Sequence, residues 1–120
     1  MSQRTQKIAE AIRREVSDLL LRGLKDSRVR EGLASVTDVE VSGDLSHAKI
    51  FISVYGTDEE SALTMEGLNS AAGYIRGVVG RRLNIRHAPD LHFELDESLQ
   101  RGSRVIALLN QLKEGEGPAK

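Results

Sequence analysis

Residues 36–55 set the fold class, and they read Val36-Thr37-Asp38-Val39-Glu40-Val41-Ser42-Gly43-Asp44-Leu45-Ser46-His47-Ala48-Lys49-Ile50-Phe51-Ile52-Ser53-Val54-Tyr55. In both halves apolar and polar side chains alternate, which is typical of a β-strand with one buried face. The first half places Thr37, Val39 and Val41 on one side, and the predicted core side chains of the second half are Ala48, Ile50, Ile52 and Val54. Residues 42–46 between them have the composition of a turn. The two strands are therefore predicted to form a β-hairpin.

The segment that precedes the hairpin is predicted to be an amphipathic helix. Its apolar residues follow the spacing of three and four that one buried helix face requires, and they are Ile8, Ile12, Val16, Leu19 and Leu20. The helix is predicted to begin at Ser2 or Gln3 and to end at Gly23. Charges on the opposite face alternate in sign, so they are predicted to pair with one another: Lys7, Glu10, Arg14 and Asp18.

Two helices, a strand and a last helix are predicted after the hairpin. Thr57 and Glu60 have the spacing of a capping box, so a helix is predicted to begin there and to bury Ala62, Leu63, Met65 and Leu68. The helical pattern falters at residues 70–73 and resumes with Ile75, Val78, Val79 and Leu83. Alternation predicts a third strand through Leu91, Phe93 and Leu95. Ser98 is a candidate cap for a last helix with the apolar stripe Val105, Leu108, Leu109 and Leu112.

The predicted order of elements is α-β-β-α-α-β-α. This order favours an α+β fold in two layers, with a three-stranded sheet packed by helices. A chain of 120 residues is long enough to bury a core of its own, so residues 1–112 are predicted to form one domain. Residues 113–120 lack apolar anchors and are predicted to be a disordered C-terminal tail.

Composition excludes several classes of function. The chain has no cysteine, which excludes disulfides, a thiol nucleophile and cysteine-ligated metal sites. It lacks the common phosphate-loop, serine-hydrolase and zinc-protease motifs, and no pattern of metal ligands surrounds His47, His87 or His92. We therefore predict no metal, no cofactor and no enzymatic activity. The absence of an apolar targeting or membrane-spanning run predicts a soluble, cytoplasmic protein.

The formal charge of −1 is unevenly distributed along the chain. Residues 1–30 contain eight basic and four acidic residues, and residues 71–92 contain four basic residues and one acidic residue. Residues 31–70 between them contain one basic and eight acidic residues. A basic surface is expected if the fold brings the two basic segments together.

In one interpretation, the basic residues beside the break in the helical pattern form a surface that contacts phosphates. Its predicted residues are Ala71, Ala72 and Gly73 at the break, Arg76, Arg81, Arg82 and Arg86 after it, and Arg4, Lys7 and Arg13 of the first helix. In the alternative interpretation, Arg81 and Arg82 complement a helix C-terminus and the other basic residues are merely solvated.

Two other patterns resemble nucleic-acid motifs and are interpreted differently. Gly77-Val78-Val79-Gly80 has the letters of the GxxG loop of KH domains, but its valines belong to the apolar stripe, so it is predicted to be helical. The outer face of the second predicted strand carries Lys49, Phe51, Ser53 and Tyr55, which could stack RNA bases. Aromatic residues make up only 3% of the chain, so cross-strand packing is the favoured explanation.

Several blocks of the sequence resemble one family when they are taken in order. They are Val36-Thr37-Asp38-Val39-Glu40-Val41-Ser42, Asp44-Leu45-Ser46-His47-Ala48-Lys49-Ile50, Ala71-Ala72-Gly73-Tyr74-Ile75-Arg76, Arg82-Leu83-Asn84-Ile85-Arg86, Pro89-Asp90-Leu91-His92-Phe93 and Asp96-Glu97-Ser98-Leu99. Together they resemble the bacterial ribosome-binding factor A family from about Gln6 to Leu112. The chain departs from that family at Ser27, where proline is usual, and in its short tail.

The resemblance implies a KH-like α+β fold of the bacterial type II arrangement, with a kinked helix pair in place of the GxxG loop. It implies a non-enzymatic, RNA-binding assembly factor of ribosome biogenesis that binds the free small (30S) subunit, but not the large subunit or the joined ribosome. It further implies a role in late processing of 16S rRNA near its 5′ end and in adaptation to cold, and we expect a monomer. The alternative is a protein-interaction module that uses acidic residues 31–70 and the Phe51/Tyr55 face to bind a basic partner.

Overall fold

A computed structural model describes residues 3–30 and 32–97 of the chain. Its elements are α1 (Gln3–Arg22), β1 (Ala34–Val41), β2 (His47–Val54), α2 (Asp58–Ser70), α3 (Ala72–Arg82) and β3 (Asp90–Leu95). The predicted α+β order is confirmed through the third strand. The predicted last helix and the predicted tail at residues 113–120 lie outside the described residues. None of the described helices is long and apolar enough to cross a membrane.

The three strands form one sheet in the order β1-β2-β3. β1 and β2 are antiparallel and make the predicted hairpin, whereas β2 and β3 are parallel and are connected through α2 and α3. The predicted core side chains of β2 are all buried: Ala48, Ile50, Ile52 and Val54. α1 packs against β1, and α2 and α3 pack against β3. The helices therefore cover the sheet face on which the side chains of the core strand β2 are buried.

A β-bulge in β1 changes the predicted pattern of burial. Val36 pairs with Ile52 but Asp38 pairs with Phe51, so Thr37 is the extra residue of the bulge. The prediction that Thr37 shares the buried side of Val39 is therefore wrong, and the buried residue before the bulge is Val36. The Thr37 hydroxyl instead donates to Oδ2 of Asp96 at 2.6 Å, which ties β1 to the end of β3.

The buried face of α2 also differs from the prediction. Ala62 and Leu63 are exposed, and the buried residues of the helix are Ser61, Thr64, Gly67 and Leu68. The cause is the loop before β1, which packs directly on small residues of the helix. A Cβ atom at Gly67 would lie 2.9 Å from Cγ2 of Val29, and Oγ1 of Thr64 donates to the Arg28 carbonyl at 3.2 Å. The buried face of α2 is therefore the one whose small residues allow close contact with that loop, and not the one with the most apolar residues.

Helix ends and the break between α2 and α3 follow the predicted chemistry. Thr57 and Glu60 make both hydrogen bonds of the capping box, and Gly23, with a φ of 78°, follows the end of α1. α2 ends at Ser70 and α3 begins at Ala72, with Ala71 between them at φ −90° and ψ 0°. Val78 and Val79 are buried within α3, so residues 77–80 are helical and not a loop, as predicted.

The turn between β1 and β2 supports a prediction about acid titration. Oδ1 of Asp44 accepts hydrogen bonds from the hydroxyls of Ser46 (2.7 Å) and Ser42 (2.8 Å) and from the Ser46 amide (3.1 Å). These donors lower the pKa of Asp44 from 3.8 to about 2. Because the folded-state pKa is depressed, ionised Asp44 stabilises the turn above about pH 4, and that contribution is lost as the pH falls toward 2.

The measurement is an NMR titration of the Asp44 carboxyl carbon, with a midpoint expected near pH 2. The Ser46→Ala variant removes the donor with the largest effect, so its Asp44 midpoint is expected to move upward toward 3.8. A wild-type midpoint near 4, unchanged in Ser46→Ala, would show that these hydrogen bonds do not form in solution.

Candidate nucleic-acid interface

A cleft of about 630 Å³ lies between α3 and the segment that leads into β3. We call it the α3 cleft. It brings together four of the predicted site residues, and its lining consists of Gly73, Arg76, Gly77, Gly80, Arg81, Asn84, Ile85, Arg86, His87 and Ala88. The predicted site residues within α3 and those after its end therefore share one concave surface.

The end of α3 builds the cleft by reversing the chain. The Ile85 amide donates to the Gly80 carbonyl at 2.8 Å, and Asn84 adopts a positive φ of 55°, which asparagine tolerates better than most residues. The returning segment then packs closely against the helix. A Cβ atom at Gly80 would lie 3.4 Å from both the Cβ of Ala88 and the Ile85 carbonyl oxygen, so glycine at this position permits the contact.

Arg76 is held at one wall of the α3 cleft. Its Nε donates to the Ala88 carbonyl at 2.9 Å, and its Nη1 lies 3.3 Å from Oδ1 of Asp90. The side chain nevertheless remains 45% exposed. The direction of Arg76 is thus fixed by β3 and by the segment that leads into it, while nearly half of the side chain remains exposed.

Arg81 and Arg86 carry the uncompensated positive charge of the cleft. Both side chains are exposed, and neither forms an ion pair within residues 3–30 and 32–97. An arginine presents several N–H donors in a planar fork that matches a phosphate group. Two free arginines beside a partly exposed third can bind successive phosphates without first breaking an internal ion pair.

Arg82 has an internal role that the sequence analysis missed. Its Nη1 lies 2.9 Å from Oδ2 of Asp18 and 3.1 Å from Oε2 of Glu15, and both carboxylates belong to α1. Hydrogen bonds to the two carboxylates raise the pKa of the Arg82 guanidinium above its usual value, and the bond to Asp18 has the larger effect. The sequence does contain a sign of this contact. Glu15 and Asp18 are three positions apart, so they lie on one side of α1 and can bind the same cation.

The basic residues of α1 do not converge on the α3 cleft. Arg4, Lys7 and Arg13 are all exposed, but Arg4 and Arg13 are nine residues apart, which is about 2.5 helical turns and places them on opposite flanks. Arg13 lines a separate groove of about 340 Å³ with Glu10 and Asp38 beside β1. The predicted charge pairing along α1 is also different, because Asp18 pairs with Arg22 and Arg82.

Two of the histidines lie next to each other on the sheet. His47 and His92 are exposed on neighbouring strands, with Nδ1 of His47 3.1 Å from Nε2 of His92. Residues 3–30 and 32–97 contain no group of three or more histidine or carboxylate side chains arranged to hold a metal ion.

Comparison with known proteins identifies the family of this chain. Residues 4–109 match the protein-family model described as ribosome-binding factor A. The chain belongs to the ribosome-binding factor A family. Relatives with that name include a Nostoc punctiforme protein, 52% identical over 117 residues that cover 98% of this chain and 84% of the relative. A Parasynechococcus marenigrum member is 48% identical over 97% of this chain and 90% of its own length.

Solved structures of ribosome-binding factor A share this fold. The crystal structure of the Thermus thermophilus member has a TM-score of 0.66 at 20% identity, and the match covers 78% of this chain and 97% of that one. A homology model of the Thermus thermophilus factor, fitted into a cryo-electron microscopy map of its complex with 30S, has a TM-score of 0.58 at 20% identity, covering 82% and 97%. The described elements agree with the KH-like α+β fold that the resemblance implied.

Proposed function

We propose that this protein is a ribosome assembly factor that binds the free small ribosomal subunit through the α3 cleft. In this proposal it assists late processing of 16S rRNA near the 5′ end, including in the cold, and does not bind the large subunit or the joined ribosome. It acts in the cytoplasm as a monomer without a catalytic step. Family membership supports a ribosomal partner, and the Thermus thermophilus relative was fitted into a map of a 30S complex. The observation that carries the proposal is that Arg81 and Arg86, which form no ion pair within residues 3–30 and 32–97, share one cleft with Arg76.

The cleft suits RNA phosphates for two reasons. Charge-assisted hydrogen bonds from arginine to phosphate are among the stronger polar contacts in proteins, and they position a nucleic acid without reading its sequence. Gly73, at the start of α3, is exposed, and a Cβ atom there would meet nothing within 4 Å. Ala71 and Ala72 beside it are also small, so an RNA backbone can approach the break between α2 and α3 closely.

The other predicted site residues have secondary parts in this proposal. Arg4 and Lys7 of α1 are exposed and add positive potential to the approach of the RNA. Arg82 is assigned to holding α1 against α3, because two carboxylates already occupy its guanidinium. Arg13 lies beside Asp38 and remains a prediction outside the cleft. Binding at the cleft would hold an immature RNA conformation until the subunit is complete.

The proposal is tested by sedimentation with separated ribosomal particles. The purified protein is mixed with free small subunits, large subunits or joined ribosomes and is run through sucrose gradients at low and moderate salt. We expect co-migration with the small subunit only, and weaker binding as the salt rises, because phosphate contacts release counterions.

Two outcomes would overturn this assignment. Absence from the small-subunit fractions at both salt concentrations would exclude the function. Binding to isolated ribosomal proteins in the absence of RNA would favour the protein-interaction module that uses acidic residues 31–70.

A further inference from the structure

Tyr74 is an exposed aromatic residue that does not belong to the core of the described part of the chain. Its side chain is 62% exposed on α3, although the neighbouring Ile75 is fully buried. The chain contains only two tyrosines and two phenylalanines, and of these Phe93 belongs to the core. An aromatic ring that is left in water on a helix gains nothing from burial, so the packing of residues 3–30 and 32–97 does not explain it.

Tyr74 lies on the same flank of α3 as the free arginine Arg81. The two residues are seven positions apart, which is nearly two full helical turns, or about 10 Å along the axis. Gly77 lies between them, and a Cβ atom there would meet only the Nη1 end of the long Arg81 side chain, at 3.4 Å. Val78, the other residue of α3 between them on this flank, is buried in the core, so no exposed bulky side chain of α3 separates the ring from the arginine there.

We propose that Tyr74 stacks on an unpaired base of the RNA whose phosphates the α3 cleft binds. This inference rests on the proposed function and adds a second kind of contact to it. Gly73, the residue before Tyr74, lines the α3 cleft, and the positive charge of Arg76, Arg81 and Arg86 in that cleft favours a nucleic acid over an apolar peptide. Single-stranded nucleic acids are commonly held by this combination of a basic groove and an aromatic ring, because every base has a face that can stack. Tyr74 therefore selects RNA with an unpaired nucleotide next to the bound phosphates.

A single tryptophan reports the contact directly. The chain contains no tryptophan, so Tyr74→Trp introduces one at the proposed stacking position. Stacking on a base quenches indole fluorescence, and we expect the emission to fall when free small subunits are added. The matched control is Tyr55→Trp, because Tyr55 is 83% exposed after the end of β2. β3 begins beside His47, at the other end of β2, about 26 Å from Tyr55, so no quenching is expected there.

Binding measurements separate stacking from a merely apolar contact. Tyr74→Phe keeps the ring and is expected to bind small subunits within about twofold of wild type. Tyr74→Leu keeps apolar bulk without a planar face and is expected to weaken binding on the order of 5- to 100-fold, the range for loss of one stacked base. Its dependence on salt is expected to be unchanged, because no phosphate contact is lost.

Gly77→Ala tests whether a partner needs the open flank. The variant is expected to raise the Tm by about 2–6 °C, because alanine favours the helix and the added Cβ fits in the folded chain. It is nevertheless expected to weaken binding at least threefold, because the methyl group narrows the approach to the ring.

The proposal fails if Tyr74→Trp is not quenched while the wild-type protein and the variant both sediment with small subunits. It also fails if Tyr74→Leu binds as tightly as wild type. Loss of the proposed function has a different signature, because the wild-type protein itself would then fail to co-migrate with the small subunit.

Discussion

Reversing Arg81 and Arg86 to glutamate is expected to weaken binding to the free small subunit by roughly 100-fold or more at low salt. Both guanidinium groups are exposed and unpaired within the described residues, so the reversal removes two contacts to phosphate without breaking an internal ion pair. A hydrogen bond to a charged group contributes about 1.5–3 kcal/mol, and two such losses give this factor before repulsion by the new carboxylates is added. The measurement is the dissociation constant across a salt series.

The salt series gives a second, independent readout of the same variant. Each phosphate contact contributes about −0.9 to the slope of log K against log salt, so the slope is expected to become shallower by about two. Loss of affinity with an unchanged slope would show that the reversal acts through misfolding or another surface. Arg82 is left as arginine in this variant because its reversal would place a third carboxylate beside Glu15 and Asp18.

Arg14→Glu combined with Lys25→Glu is the matched control. Both residues are exposed, neither lines the α3 cleft, and the net charge changes by the same amount. At moderate salt the effect of distant charges is largely screened, since the Debye length is about 8–10 Å. We therefore expect the control to bind within about threefold of wild type. Equal losses in the two double variants would mean that overall charge, and not the cleft, determines binding.

The parts of the fold that the sequence predicted correctly depend on neighbours a few positions apart. The capping box joins Thr57 to Glu60, and the burial of Ile50 and Ile52 follows from simple alternation in β2. The break at Ala71 could be placed for the same reason, because small and polar residues interrupt the helical pattern at residues 70–73. Each of these features depends on residues that lie only a few positions apart in the sequence.

The features that the sequence did not reveal depend on residues far apart in the chain. Thr37 is a bulge residue whose hydroxyl binds Asp96, 59 positions later, and alternation in β1 alone cannot show this. Arg82 resembles a free cation in the sequence, but it lies against Asp18 of α1, 64 positions earlier. Only the packing of α1 against α3 shows that Arg82 is already paired with a carboxylate. Of the residues predicted from the sequence, Gly73, Arg76, Arg81 and Arg86 share one cleft, and tertiary contacts determine which of the others lie elsewhere.

Ile50→Ala is expected to lower the free energy of unfolding by about 2–5 kcal/mol, the usual cost of truncating a large core side chain. Ile50 is fully buried on the central strand, where it is paired with Val39 of β1 and with Phe93 of β3. Both neighbouring strands are fixed by their own ladders, so the cavity cannot close without disturbing the sheet. Urea denaturation measures the effect, and Ile50→Val is expected to cost only about 0.5–1.5 kcal/mol.

Leu63→Ala is the informative comparison, because the apolar pattern of α2 assigned Leu63 to the core as firmly as alternation assigned Ile50. The structure leaves Leu63 51% exposed and buries Thr64 and Gly67 against the Arg28–Val29 loop. Truncating an exposed leucine to alanine, the best helix former, is expected to change the free energy of unfolding by less than about 0.5 kcal/mol. A loss of stability comparable to that of Ile50→Ala would show that Leu63 is buried, as the apolar pattern predicted, and that the loop does not pack against Gly67. Similar losses for Leu63→Ala and Ile50→Ala would therefore contradict the packing of α2, whereas a large difference between them would show that close approach to the loop sets the buried face of this helix.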